Sequence, residues 1–159
     1  MPRTADSQRH FAHGLFSTMV TGLLLLAGCG EPYVGVDPPP AGQESRPVEM
    51  LQLDDAAGIS HADVNFDEAV RTPEKLIIVD FWAHWCGPCR MLAPELEKIV
   101  KAHPDDVVVL KVNVDKSEFL AAHFGAGSIP DLRFFRDGKA VGGSVGFRTA
   151  DELLKELRL

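Results

Sequence analysis

The chain is short of basic residues: Lys and Arg number 16 against 23 Asp and Glu, for a formal net charge of -7. No basic stripe with interleaved aromatics breaks that balance, so nucleic acid is excluded as a partner. No apolar run reaches the ~20 residues that a helix needs to cross a bilayer. The longest, Leu15 to Leu26, falls well short and argues against an uncleaved span. Cysteine is scarce, with three in 159 residues, and no second Cys or His pair lies at ligand spacing. That argues against a zinc site. His61, His103 and His123 stand alone and read as surface residues, and there are no internal repeats. The length leaves room for one domain with appendages, and 45% apolar residues is normal for a packed core.

What is present begins with a leader. Arg3 and Arg9 open it, the apolar stretch follows, and Ala27-Gly28 precede Cys29. Positive start, apolar centre and small-residue cleavage site read as a secretory signal over residues 1–28. Leu26-Ala27-Gly28-Cys29 also resembles the lipobox of bacterial lipoproteins. The resemblance implies that Cys29 becomes the new N-terminus and carries a diacylglycerol thioether, making a lipid membrane a partner. A plain cleaved signal with an incidental cysteine is the alternative.

Residues 29–57 are rich in Pro, Gly and acids, and Asp37-Pro38-Pro39-Pro40-Ala41-Gly42 sustains neither a helix nor a central strand. The segment reads as a semi-rigid tether. Met50-Leu51-Gln52-Leu53 is either a short edge strand or a docking segment. The folded domain is expected over residues 58–159. Asn65-Phe66-Asp67-Glu68 and Thr149-Ala150-Asp151-Glu152 have the form of capping boxes. Leu76 to Trp82 reads as a strand buried on both faces, Cys86 to His103 as a helix bent at Pro94, and Val107 to Val114 as a second strand. A short helix ends near Phe124, and Asp137-Gly138 turns a hairpin between residues 131–136 and 139–146. The expected order is α-β-α-β-α-β-β-α, an α/β fold with a central mixed sheet and helices on both faces.

Trp85-Cys86-Gly87-Pro88-Cys89 follows the first strand directly and opens the long helix. A Cys-x-x-Cys at a strand-to-helix junction reads as a thiol–disulfide exchange centre. Cys86 at the helix start gains from free backbone N–H groups and the positive end of the dipole, which favour a thiolate. Trp85 and Pro88 favour a turn that leaves Cys86 at the surface and Cys89 partly buried, so Cys86 should attack and Cys89 resolve.

With these residues, the chain from about Gly58 to Leu159 resembles thioredoxin. Asp80 fits the family's buried carboxylate, Pro94 its helix kink, and Lys111 the lysine beside that carboxylate. Ile129-Pro130 fits the loop with a cis proline facing the disulfide, and Gly138 and Gly146 fit the hairpin turn and the groove rim. The resemblance implies the thioredoxin fold and a Cys86–Cys89 redox cycle that needs no other cofactor. It also implies that Asp80, tuned by Lys111, shuttles the proton of Cys89. Trp85, Gly87, Pro88, Ile129, Pro130 and Gly146 would bind substrate. His84 and Asp131 depart from the usual pattern: a cation at His84 would lower the Cys86 pKa, and a carboxylate at Asp131 would raise it.

The expected activity is protein-disulfide reduction outside the cytoplasm by a monomer on a membrane's periplasmic face. Its partners are disulfide-containing proteins and a membrane electron donor. Alternatives are an oxidase or isomerase, a reductant dedicated to cytochrome c maturation, or a non-catalytic binding module or chaperone.

Overall fold

The computed structural model describes residues 35–42, 47–54 and 58–159. The signal segment and Cys29 lie outside the described residues. In chain order the elements are β1 (Pro47–Asp54), β2 (Gly58–Asn65), α1 (Phe66–Ala69), β3 (Leu76–Trp82), α2 (Gly87–Ala102), β4 (Val107–Asn113), α3 (Glu118–His123), β5 (Asp131–Arg136), β6 (Lys139–Val145) and α4 (Ala150–Leu157).

The strands form one sheet in the order β2-β1-β4-β3-β5-β6. β3 pairs parallel to β4 and antiparallel to β5, so the sheet is mixed, as expected. Both faces of β3 are covered, which is why Leu76 to Phe81 shows no polar alternation and is buried throughout. Leu76 and Ile78 pack with Leu92, Leu96 and Ile99 of α2 and Leu153 of α4. Ile77, Val79 and Phe81 point the other way, to Phe66 of α1, Leu120 of α3 and Phe124. In that second layer the Phe124 ring meets Phe66 edge-on at 6.1 Å and Phe135 at 5.8 Å between centroids, the geometry that aromatic quadrupoles favour.

Local signals place the ends of the elements. Cys86 is the N-cap of α2, which runs on through Pro94 to Ala102. Thr149 and Glu152 form the reciprocal capping box that opens α4, and Asn65 accepts the Glu68 N–H at 3.2 Å to start α1. Asp137 and Gly138 turn the β5–β6 hairpin with φ of 50° and 71°. A Cβ at Gly138 would stand 3.0 Å from the Arg71 side chain, which would have to shift, and the positive φ itself favours glycine.

The N-terminal side differs from expectation. Two strands precede the first expected helix, and the segment read as tether to residue 57 contains one of them. β1 is an inner strand, not an edge or a docking piece: it pairs antiparallel with β2 along its length and with Val109–Lys111 of β4. The physical reason is burial of one side chain on each face, Val48 at 4% and Leu51 at 2% exposure. The Pro-rich segment is also docked against the domain. Arg71 Nη2 donates to the Pro39 carbonyl at 2.7 Å, the Gly42 N–H to Asp67 Oδ2 at 2.7 Å, and the Ala140 N–H to Asp37 Oδ1 at 3.1 Å. Polyproline geometry leaves backbone carbonyls free for such bonds. If β1 is part of the core, Leu51→Ala should lower unfolding stability by about 3 kcal/mol in urea denaturation. A loss below ~0.5 kcal/mol, typical of a surface change, would put β1 outside the cooperative unit.

Candidate active site

Strand β3 ends at Trp82, and a three-residue turn, closed by the Cys86 N–H donating to the Ala83 carbonyl at 3.1 Å, delivers the chain to α2. Cys86 takes the N-cap conformation, φ -81° and ψ 107°. Its Sγ accepts the Cys89 N–H at 3.2 Å, as an N-cap oxygen would. Pro88 lies in the first turn, where its missing N–H leaves nothing unsatisfied. The two sulfurs are bonded at 2.03 Å, so this is the oxidised form.

The expected contrast in exposure is not found: Cys86 is 4% exposed and Cys89 3%. Shielding of Cys86 comes from across the fold, where the Ile129 carbonyl oxygen lies 3.7 Å from its sulfur. The asymmetry between the cysteines is electrostatic instead. Of the two, Cys86 holds the capping position, with an amide donor aimed at its sulfur and the helix dipole's positive end beside it.

The rim is built by three segments. Trp85 is 68% exposed, and its indole N–H is fixed by the Asp115 carboxylate at 3.1 Å. The Ile129–Pro130 bond is cis, as the resemblance implied. The Pro130 carbonyl accepts the Gly146 N–H at 2.8 Å, which ties that loop to the end of β6. Gly146 has φ 92°, a conformation open to glycine at little cost. Gly87 is half-buried and Pro88 exposed, beside Trp85 in the disulfide loop itself. Half-buried Ile129 packs against the two cysteines, and Pro130 and Gly146 adjoin it through their hydrogen bond.

Asp80 sits two residues before the end of β3, on the face covered by α2. It is fully buried, and neither carboxylate oxygen has a hydrogen-bond partner among the described residues. Burial pushes its carboxyl from 3.8 up to about 7, against the pull of the Lys111 cation and with smaller pushes from Glu49 and Asp131. Lys111 is its register partner on β4. The Lys111 ammonium lies 4.5 Å from the centroid of the Trp82 ring, a cation–π contact on the same face.

The two departures resolve differently. The His84 ring is exposed and meets Trp82 edge-on at 4.7 Å. Asp131 is 2% exposed, and Arg133 holds its carboxylate through Nε and Nη2 at 2.7 Å each. Burial raises the Asp131 pKa, and the guanidinium lowers it. That paired cation offsets the repulsion expected between Asp131 and a Cys86 thiolate. Sequence reasoning missed Arg133, Asp115 and Glu49. Arg133 was findable, since residues two apart on a strand share a face; Asp115 and Glu49 reach the site only through tertiary pairing. Among the described residues no His, Cys, Asp and Glu cluster could hold a metal.

The thioredoxin family model matches residues 58–158. Thioredoxin of Alicyclobacillus acidocaldarius is 43% identical over 101 residues, covering 64% of this chain and 95% of that one. Thioredoxin of Mycobacterium tuberculosis is 41% identical over 108 residues, covering 68% and 93%. Among solved structures, oxidised mitochondrial thioredoxin 3 of Saccharomyces cerevisiae aligns with a TM-score of 0.53 at 31% identity, over 58% of this chain and 85% of its own. The matched segment is the one that builds the disulfide loop, the buried carboxylate and the cis proline. This protein therefore belongs to the thioredoxin family and is a thiol–disulfide oxidoreductase, working through its cysteine pair with no external cofactor.

Proposed function

We propose that the protein is a protein-disulfide reductase held outside the cytoplasm by a lipid on Cys29. The observation that carries the chemistry is the Cys89 N–H directed at Cys86 Sγ at the start of α2. In the reduced protein that donor and the helix dipole favour a Cys86 thiolate. The thiolate attacks a substrate disulfide, forming a mixed disulfide and releasing one substrate thiolate. Asp80, whose carboxyl titrates at about 7, takes the proton of Cys89. The Cys89 thiolate then attacks Cys86 Sγ and releases the second substrate thiolate. Two electrons pass to the substrate, and the Cys86–Cys89 disulfide remains. An extended substrate strand fits the rim around Ile129, Pro130 and Gly146.

The Gly-Pro dipeptide between the cysteines favours the reducing direction, with a potential of about −270 mV rather than the ~−120 mV of a strong periplasmic oxidant. A reductant in an oxidising compartment needs a membrane electron donor to return the pair to the dithiol. The leader and the lipobox-like Leu26 to Cys29 support that location.

In a trapping experiment, Cys89→Ser should accumulate mixed disulfides with client proteins through Cys86, and the wild-type potential should fall near −270 mV. Absence of adducts, or a potential near −120 mV, would remove the reductase reading.

Asp80→Asn should slow the resolving step at pH 7 by about 100-fold, the lower range for a lost general base. The same substitution tests the burial of the charge. Folded, Asp80 keeps its proton to about pH 7; unfolded, it loses it near 3.8. Stability from this group is full below about pH 4 and falls as pH rises to about 7. Asp80→Asn should thus be more stable than wild type by about 4 kcal/mol at pH 8 and equal to it at pH 3. A pH-independent difference would contradict the raised pKa.

Cys29→Ala should move the protein from the membrane to the soluble fraction on cell fractionation. Continued membrane association would show that the lipid on Cys29 is not the anchor.

A further inference from the structure

The match to the family begins at residue 58, so β1 lies before it, yet β1 runs beside β4 inside the sheet. Its pairing sets Glu49 opposite Lys111, and the β3–β4 pairing sets Lys111 opposite Asp80. Cross-strand partners share a face of the sheet, so Glu49, Lys111 and Asp80 form a row of acid, base and acid over three neighbouring strands. The Lys111 position lies between two carboxylate-bearing positions, Asp80 fully buried and Glu49 33% exposed at its side chain, and the Lys111 ammonium rests over the Trp82 ring. The Glu49 carboxylate is held on its far side by His61 Nδ1. The row opens onto a groove of about 430 Å³ lined by Glu49, His61, Trp82 and Lys111 among others.

We propose that Glu49, supplied by a strand upstream of the family domain, is a positioning residue that sets the proton affinity of Asp80 through the Lys111 between them. Lys111 stabilises the Asp80 anion, and Glu49 draws on the same cation, so the carboxylate under the apolar strand keeps its proton to higher pH. His61 fixes the Glu49 side chain in that place. Asp131 at the start of β5 also pushes on Asp80, but its register partner is Phe81, so it stands on the other face of the sheet, paired there with Arg133. Asp63, His84 and Lys116 line the same groove as Glu49 and Lys111. The negative charge of Glu49 acts on Asp80 in the direction the row requires. This inference deepens the reading of Asp80 as the proton acceptor for Cys89 and rests on it for its functional meaning.

Direct carboxyl titration of Asp80 by NMR in the oxidised full chain tests it. Charges two strands apart are roughly 10 Å from one another, and partial screening leaves a shift of about half a pH unit. Glu49→Gln should lower the Asp80 midpoint by that amount. Glu49→Asp, which keeps the charge, should return it to the wild-type value. Asp63→Asn, at the position opposite Glu49 on the outer strand β2, should leave it unmoved. An unmoved midpoint in Glu49→Gln, an equal shift in Asp63→Asn, or failure of Glu49→Asp to restore the midpoint would each overturn the proposal. The pH profile of the resolving step separates the underlying reading. If the midpoint shifts and the profile does not follow, the coupling of Glu49 to Asp80 stands and the proton-acceptor role of Asp80 falls.

Discussion

A carboxylate with no hydrogen bond, buried near the end of a strand covered on both faces, is the constraint around which this molecule is arranged. Ionising Asp80 there costs several kcal/mol, a large share of the roughly 5–15 kcal/mol by which a domain is stable. The neighbouring strand offsets part of that cost by bringing Lys111 to the same level of the sheet. The apolar layers on either side supply the remainder. Leu76 and Ile78 bind the α2 side, and the Phe66, Phe81, Phe124 and Phe135 rings bind the other. A carboxyl that titrates at about 7 exchanges its proton near neutral pH, so the group that weakens the fold is the one that suits the chemistry.

Reactivity at the cysteines follows from fields more than from exposure. Both sulfurs are shielded to nearly the same degree, so access does not choose the attacking thiol. Position does: Cys86 caps the helix and Cys89 lies within its first turn. Shielding strengthens that choice, because an amide donor acts more strongly where water is excluded. Asp131 would oppose it from the cis-proline side, but Arg133 takes up its charge in a bidentate pair. The site keeps a carboxylate near the sulfur without bearing the full repulsion.

Much of this was readable from local sequence, for physical reasons. Leu76 to Trp82 carried no polar alternation because both faces are covered, and the cysteine motif, the Thr149 capping box and the Asp137-Gly138 turn are each complete within a few residues. β1 was hidden because Val48 and Leu51 face opposite layers, leaving too little one-sided pattern in a Pro- and Gly-rich stretch. The pairing that gives Glu49 its meaning joins it to Lys111 in another part of the chain. Likewise, the shielding of Cys86 depends on Ile129, which approaches it only in the folded chain.

The docked N-terminal segment also bears on how an anchored enzyme would work. Were residues 30–57 a free leash, the domain could stand roughly 90 Å from Cys29 at full extension. With residues 35–42 bound to the domain and residues 47–54 in the sheet, the link from Cys29 to residue 35 spans about 20 Å at most. The point of entry matters as much as the length. Asp37 bonds to Ala140, which is level with Phe135 and so with Ile77 near the start of β3. The disulfide loop follows Trp82 at the opposite end of that strand. The docked segment thus meets the domain at the end of the sheet away from the cysteines.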